Sequence, residues 1–461
     1  MDKANRGAPR RSEAQLLLLT SLITILGFLM VAASSQIRQS FDPLPALPAA
    51  LLPALLLCAG TFSLHFALRS RQVQSEPIIL PITGLLLAIG IIMIFRLRGA
   101  EGAWQQIMRG LLPGLSLAAF FILKPQLVES VRRWTLPLSA AGLMLPIATA
   151  LFGVVDETGA RLALKLGPLP AIQTSEIIKL TLLIFLAWYI DREGEQVEGR
   201  SRILLGRFRL PAIRYFIPGI LFVSMATLAL VQMSDFGAVM ILGFLFVAML
   251  YAGFETRLFV TIAGIGLILA VLVGVVLAFS WEIPTVIQHR FIAFLDPWSS
   301  AEILVGGRPT GITVAEGPGY QIQQAIYAII AGGLGGAGLG FGSPEYIPLA
   351  ASDFIFAAIL EELGAAVGIV LLALFVILLL RILRVAMLLP RGQVFERLLL
   401  TGIALHLFTQ VFVMVAGTVN LMPLTGVTVP FLSQGGTALT INLLEIGMVL
   451  AVAQRLETRL S

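Results

Sequence analysis

The chain is 461 residues long, 58% of them hydrophobic and only 12% charged, with a mean hydropathy of +0.95 and a formal net charge of +5. These values exclude the soluble classes, because a globular core of this size could not hide so many unbroken apolar runs. The basic excess comes with no groove of interleaved aromatics. It therefore speaks against a nucleic-acid partner and for orientation in a bilayer, with some attraction to anionic membrane lipids.

In chain order, the apolar runs predict spans near 15–33, 47–68, 78–95, 105–123, 134–152, 174–190, 211–231, 235–252, 258–280, 354–380, 396–420 and 437–454. Each is close to the roughly 20 helical residues that cross a hydrocarbon core of about 30 Å. The runs are continuous and not alternating, so the expected fold class is all-α, a polytopic helical bundle of about 12 spans and not a β-barrel. The basic N-terminus and the small residues Val31-Ala32-Ala33 have the outline of a secretory signal. The run between them is too long for one, and cleavage would leave an odd span count, so a retained first helix is expected. Cys58 falls inside the second span as a small apolar residue, and a lone cysteine permits no disulfide within the chain.

Lys and Arg set the orientation. Placing both termini in the cytoplasm puts most of the 31 basic residues on that side, including Arg10, Arg11, Arg132, Arg133, Arg381 and Arg384. Arg38, Arg96, Arg98, Arg109, Arg161, Lys165, Arg290 and Arg308 fall outside, and Lys179 lies within a span. The mixed-charge segment around 191–210 reads as a solvated cytoplasmic loop. The stretch 281–353 is a long extracytoplasmic loop, and loops of that length are often functional. It begins amphipathic (Trp281 to Trp298), passes through a Gly- and Pro-rich piece (Gly306 to Gly319) and ends Gly-rich and apolar (Ala331 to Gly342). The apolar portions predict that part of it is re-entrant. Gly333, Gly335 and Gly338 match the spacing of a dinucleotide fingerprint, but no strand precedes them, so tight packing of a turn is favoured.

Ionisable groups at membrane depth cost at least a few kcal/mol and ask for a partner or a task. Glu176 and Lys179, three apart at the outer start of the sixth span, share a helix face. They form either a structural ion pair or the polar wall of an outward-open cavity for a charged lipid head. Asp235 and Asp353 open the eighth and tenth spans, where capping would explain either and where an Asp also stays ionised as a general base requires. Glu361 and Glu362 are expected two to three turns inside the tenth span. The run Pro423 to Gly436 predicts a rigid outer turn. His65, His289 and His406 are scattered, and no Cys/His cluster supports zinc.

At these motifs the chain resembles the SEDS family of polytopic peptidoglycan glycosyltransferases. Gly159-Ala160-Arg161 with Gln173-Thr174-Ser175-Glu176-Ile177-Ile178-Lys179 is similar to one family stretch, and Gln232-Met233-Ser234-Asp235-Phe236-Gly237 to a second. Gly319-Tyr320-Gln321 with Gln324, the glycines to Gly342, and Ser352-Asp353-Phe354-Ile355-Phe356 with Glu361-Glu362-Leu363-Gly364 follow in the family's order, as does Pro423 to Gly436. Leu162, Thr174, Ala351 and Gln434 depart from the residues usual there. The resemblance runs from about residue 78 to the end. It implies a ten-span core over 78–461, with 1–77 adding a tail and two further helices.

The resemblance also implies polymerisation of lipid II on the outer face of the bacterial cytoplasmic membrane, with an elongation role favoured over division. Asp353 is implied as the base. Arg161 and Lys179 are implied to face the pyrophosphate, with Glu176 orienting Lys179, and Asp235, Gln321 and Ser433 join the substrate-binding set. No cofactor is required, although a divalent cation could share the pyrophosphate charge. The expected partners are lipid II, the undecaprenyl-pyrophosphate-linked glycan and a class B penicillin-binding transpeptidase supplied in trans. Two other readings stay open: a lipid II flippase, and a scaffold without catalysis.

Overall fold

The computed structural model describes residues 8–38, 47–71, 73, 76–154, 161–165, 167, 170–199, 202–204, 208–210, 217–254, 285–305 and 308–460. In chain order the helices are α1 (Ala8–Arg38), α2 (Leu47–Ser70), α3 (Ile79–Gln106), α4 (Leu112–Leu123), α5 (Leu127–Arg133), α6 (Thr135–Phe152), α7 (Thr174–Gly199), α8 (Ile217–Gln232) and α9 (Phe236–Gly253). They continue with α10 (Thr285–Leu295), α11 (Tyr320–Gly332), α12 (Ile355–Leu388), α13 (Val394–Thr418) and α14 (Gly436–Leu460). A π-helical segment, Ile107–Leu111, joins α3 to α4, a 3-10 turn spans Pro344–Tyr346, and there are three antiparallel two-stranded hairpins: β1 (Ala163–Leu164) with β2 (Ile172–Gln173), β3 (Arg202–Leu204) with β4 (Phe208–Leu210), and β5 (Glu302–Val305) with β6 (Arg308–Thr313).

Every expected span except 258–280 falls on a helix, and 258–280 lies outside the described residues. Among the described residues, 8 helical segments are long and apolar enough to cross a membrane. Two expected spans coincide with helices outside that set: α7, which carries Glu176, Lys179 and Asp191, and α8, which has 16 residues. One of the 8 segments, Ile79–Leu123, runs for 45 residues. At 1.5 Å per residue that is about twice the hydrocarbon thickness. Gly99, at φ 66 and ψ −166, breaks the helical path within it, so the two spans expected near 78–95 and 105–123 are both present. The all-α expectation omitted the hairpins. The signal for β5–β6 was a Gly-Gly pair between short runs rich in β-branched residues.

The chain divides into two compact units. The first comprises Met1–Gln126, Ile292–Val385 and Gln410–Ser461; the second comprises Leu127–Phe291 and Ala386–Thr409. In the first, α1 packs on α2 and α3, and α4 packs along α14. Glycines make the α4–α14 approach close: a Cβ on Gly114 would crowd Leu443, and one on Gly447 would crowd the Ala118 backbone. In the second unit α7 is sandwiched by α6, α8 and α9. Phe185 stacks on Phe222 at 5.0 Å there.

The Gly-rich loop packs by exchanging backbone partners with α12. Gly364, at φ 84 and ψ 164, lies in a region that only glycine occupies readily, and it interrupts the helix. The backbone groups so released would be orphans inside a bilayer. They are satisfied by the loop: Ala337 N–H donates to Glu361 O at 2.8 Å and Gly338 N–H to Glu362 O at 2.9 Å. In return Ala365 N–H donates to Gly333 O at 2.9 Å and Ala366 N–H to Leu334 O at 3.2 Å. A Cβ on Gly332, Gly336 or Gly364 would overlap the facing backbone, while Gly333 and Gly338 take positive φ of 52 and 101. Gly364→Ala is therefore expected to lower stability by about 1–3 kcal/mol, seen as a clear drop in melting temperature of the detergent-purified protein. An unchanged melting temperature would show that the exchange does not hold the loop.

Glu361 and Glu362 lie about two turns into α12, as expected, in the short stretch ahead of Gly364 and beside the loop.

Candidate active site

Asp353 sits in the turn that leads into α12. Leu349 takes a positive φ of 57, and its carbonyl accepts the N–H groups of Ser352 at 3.0 Å and Asp353 at 3.1 Å. This turn is stitched to the run 423–436, as the sequence motifs imply. Ser433 Oγ donates to Ser352 O at 2.7 Å while accepting Val429 N–H at 2.9 Å, and Gln434 N–H donates to Ala351 O at 2.8 Å. Gln106, only 3% exposed, clamps the other side of the same run. Its Nε2 donates to Ser433 O at 3.1 Å and its Oε1 accepts Gly435 N–H at 3.0 Å. Asp353 is partly exposed on this rigid platform. Ser433 is buried and its hydroxyl proton is committed to Ser352, so its contribution here is to hold the Asp353 turn in place.

A second polar cluster in the same unit joins α3, the Gly-rich loop and α12. Arg96 Nε donates to Glu362 Oε1 at 2.8 Å, and Arg96 Nη2 reaches Gly342 O at 3.1 Å and Glu345 Oε2 at 3.3 Å. Glu362 Oε2 accepts Gly340 N–H at 2.9 Å, and Glu361 Oε1 accepts Ser343 N–H at 2.7 Å. The ion pair is what buried Glu362 needs, since an unpaired carboxylate could not stay charged there. Sequence reasoning assigned Arg96 only to a loop. The available signal was an arginine closing an apolar run.

Gln321 is half-buried in the first turn of α11. The glutamine that fixes this helix is Gln323, whose Nε2 donates to Pro297 O at 2.5 Å and Ala315 O at 3.2 Å. The turn before it is closed by Glu316, which accepts the Thr313 hydroxyl at 2.8 Å and the Thr313 N–H at 3.2 Å; these donors hold its carboxyl below the usual range.

The other motif residues fall in the second unit. The β1–β2 hairpin pairs Ala163 with Gln173 and so folds the Arg161 segment back onto the start of α7. Arg161 Nη1 donates to Ala150 O at 3.0 Å and Leu151 O at 2.9 Å, a cation on the last carbonyls of α6. Gly159 and Ala160 lie outside the described residues. One turn into α7, Lys179 Nζ meets Glu176 Oε1 at 2.8 Å, with both side chains almost fully buried. Thr174, which opens α7, hydrogen-bonds Thr149 of α6 through the two hydroxyls at 2.8 Å. The neighbouring Ser175 hydroxyl is buried without a partner among the described residues. A polar seam thus runs along α7 within an apolar unit.

Asp235 is the N-cap of α9, its Oδ1 accepting Ala238 N–H at 3.0 Å. Asp235→Ala is expected to lower stability by about 1 kcal/mol, read by thermal unfolding. A fall in activity above 100-fold with no change in stability would show that capping is not its main task.

A family model described as "Cell cycle protein", FTSW_RODA_SPOVE, matches residues 77–458. The chain is 30% identical over 460 residues to "Peptidoglycan glycosyltransferase RodA" of Mycobacterium tuberculosis, spanning 96% of this chain and 91% of that protein. It is 30% identical over 399 residues to "Stage V sporulation protein E" of Bacillus subtilis, spanning 84% of this chain and 98% of the relative. Among solved structures, a chain from "Structural coordination of polymerization and crosslinking by a peptidoglycan synthase complex" superposes with a TM-score of 0.63 at 24% identity, covering 83% of this chain and 98% of that one. The Thermus thermophilus "Rod shape determining protein RodA" superposes at 0.54 with 23% identity, covering 82% of this chain and 96% of that one. These two likenesses bear on the fold: a polytopic helical membrane protein.

Proposed function

The chain belongs to the FtsW/RodA/SpoVE family of cell cycle proteins, and from that premise we propose that it is a peptidoglycan glycosyltransferase that polymerises lipid II. The observation that carries this reading is Asp353, partly exposed on a turn held by Ser433, Gln434 and Leu349. A base must be fixed in place and reachable by substrate.

In the proposed reaction one lipid II is the acceptor and the growing lipid-linked strand the donor. The Asp353 carboxylate takes the proton of the acceptor sugar hydroxyl, whose oxygen bonds to the donor's anomeric carbon. The bond from that carbon to phosphate oxygen breaks with inversion, and the lipid pyrophosphate leaves. Lys179, oriented by Glu176, and Arg161 offset the pyrophosphate charge, while Asp235 and Gln321 contribute to the substrate surface. A divalent cation would share the same charge. Residues 78–461 form the catalytic core, and 1–77 an N-terminal addition.

The excess of basic residues near the termini and on the loops assigned to that side supports cytoplasmic ends, with Asp353 facing outward. The identity to RodA over nearly the whole chain favours an elongation role. A class B penicillin-binding transpeptidase is the proposed partner, since new strands need crosslinking. The test is to incubate the purified chain with labelled lipid II in detergent and resolve products by size. Glycan ladders are expected. Transfer of lipid II across vesicles without any lengthening would instead mark a transporter.

A further inference from the structure

The hairpin of α1 and α2 lies ahead of the matched family region, yet it reaches the loop that leads to Asp353. Ser34, near the end of α1 and 3% exposed, lies directly against Gly340; a methyl group on that glycine would overlap the Ser34 hydroxyl. Gly340 is at φ +84, so the loop takes a glycine-favoured path at this contact. Its N–H is the donor to Glu362, whose other oxygen is held by Arg96. From this pinned point the chain descends through consecutive short turns, with Ile347 N–H on Pro344 O at 3.1 Å, Ala350 N–H on Ile347 O at 3.2 Å and Asp353 N–H on Leu349 O at 3.1 Å. Such a path has little slack between Gly340 and Asp353.

The hairpin is itself fastened along its length. Phe28 packs on Phe95, one residue before Arg96, with centroids 4.9 Å apart. At the far end Arg10 Nε donates to Val73 O at 2.6 Å, and fully buried Glu13 pairs with Arg10 and with His65 Nδ1, the latter at 2.6 Å. Glu76, in the linker to the core, faces Arg381 and Arg384 at 3.7 and 3.8 Å. All of these residues belong to one compact unit.

We propose that the N-terminal hairpin is a positioning element for the reaction, with Ser34 against Gly340 setting the place of the loop that presents Asp353. This rests on the reading of Asp353 as the base. Because misplacing a reacting group by about 1 Å can cost on the order of 100-fold, bulk at Ser34 acts on the turnover step and not on lipid II binding.

The test is kinetic, on the full purified chain, with rates normalised to folded protein. Ser34→Leu is expected to lower kcat for polymerisation by roughly 10- to 100-fold with KM for lipid II unchanged. Should Ser34→Leu fail to purify as a single species, Ser34→Thr decides, with its one extra methyl expected to lower kcat several-fold. Wild-type kcat in the bulky variant that folds, or a loss confined to KM, overturns the proposal. If wild-type protein polymerises and Asp353→Asn does not, that failure concerns the hairpin alone. If wild-type protein makes no glycan, the catalytic reading fails first.

Discussion

Asp353→Asn should leave the purified protein folded and cut its polymerisation rate by roughly 100- to 10,000-fold, the range of a positioned general base. The substitution keeps the shape of the side chain and a carbonyl acceptor, and the bonds through Leu349 O, Ser433 Oγ and Gln434 N–H still hold the turn. Stability should therefore be close to wild type, and the loss should fall on kcat. Asp353→Ala exceeding that range would add a positioning role to the proton transfer. Near-normal rates in Asp353→Asn would remove Asp353 from the mechanism.

The largest stability effect is expected at Lys179. Its ammonium is 1% exposed and meets Glu176 at 2.8 Å. Lys179→Met leaves a buried carboxylate without its charge partner, a change that costs about 3–5 kcal/mol. The double variant Glu176→Gln with Lys179→Met removes both charges and should recover most of that loss in thermal melting. Activity separates the two roles of the lysine. If Lys179 offsets pyrophosphate charge, the double variant regains its melting temperature and stays slow. Recovery of both would make the pair purely structural.

Much of this was legible in the sequence because the bilayer imposes a simple rule on apolar runs. The helices follow the hydropathy pattern closely, and Asp235 caps α9 as its place at a span start suggested. Glu176 and Lys179 pair as their three-residue spacing on one helix face predicts. Breaks within long helices were harder to read. Gly99 and Gly364 are single glycines in apolar stretches, and only the packing of the loop against α12 reveals why the second one is needed. Long-range pairings were invisible for the same reason. Arg96 and Glu362 are 266 residues apart, and nothing local in either segment names the other. Gln106 and Ser433, separated by 327 residues, show the same limit for the clamp beside Asp353. Buried Glu445 was legible as a single carboxylate inside the apolar run 437–454, whereas buried Glu13 precedes the first run, beside Arg10 and Arg11, and reads there as a solvated polar end.

The most direct measurement is the release of undecaprenyl pyrophosphate from lipid II by the purified chain, followed alongside product length. The account predicts one lipid pyrophosphate released for each sugar linkage formed, with both signals lost together in Asp353→Asn. Intact lipid II after prolonged incubation with folded wild-type protein would contradict it.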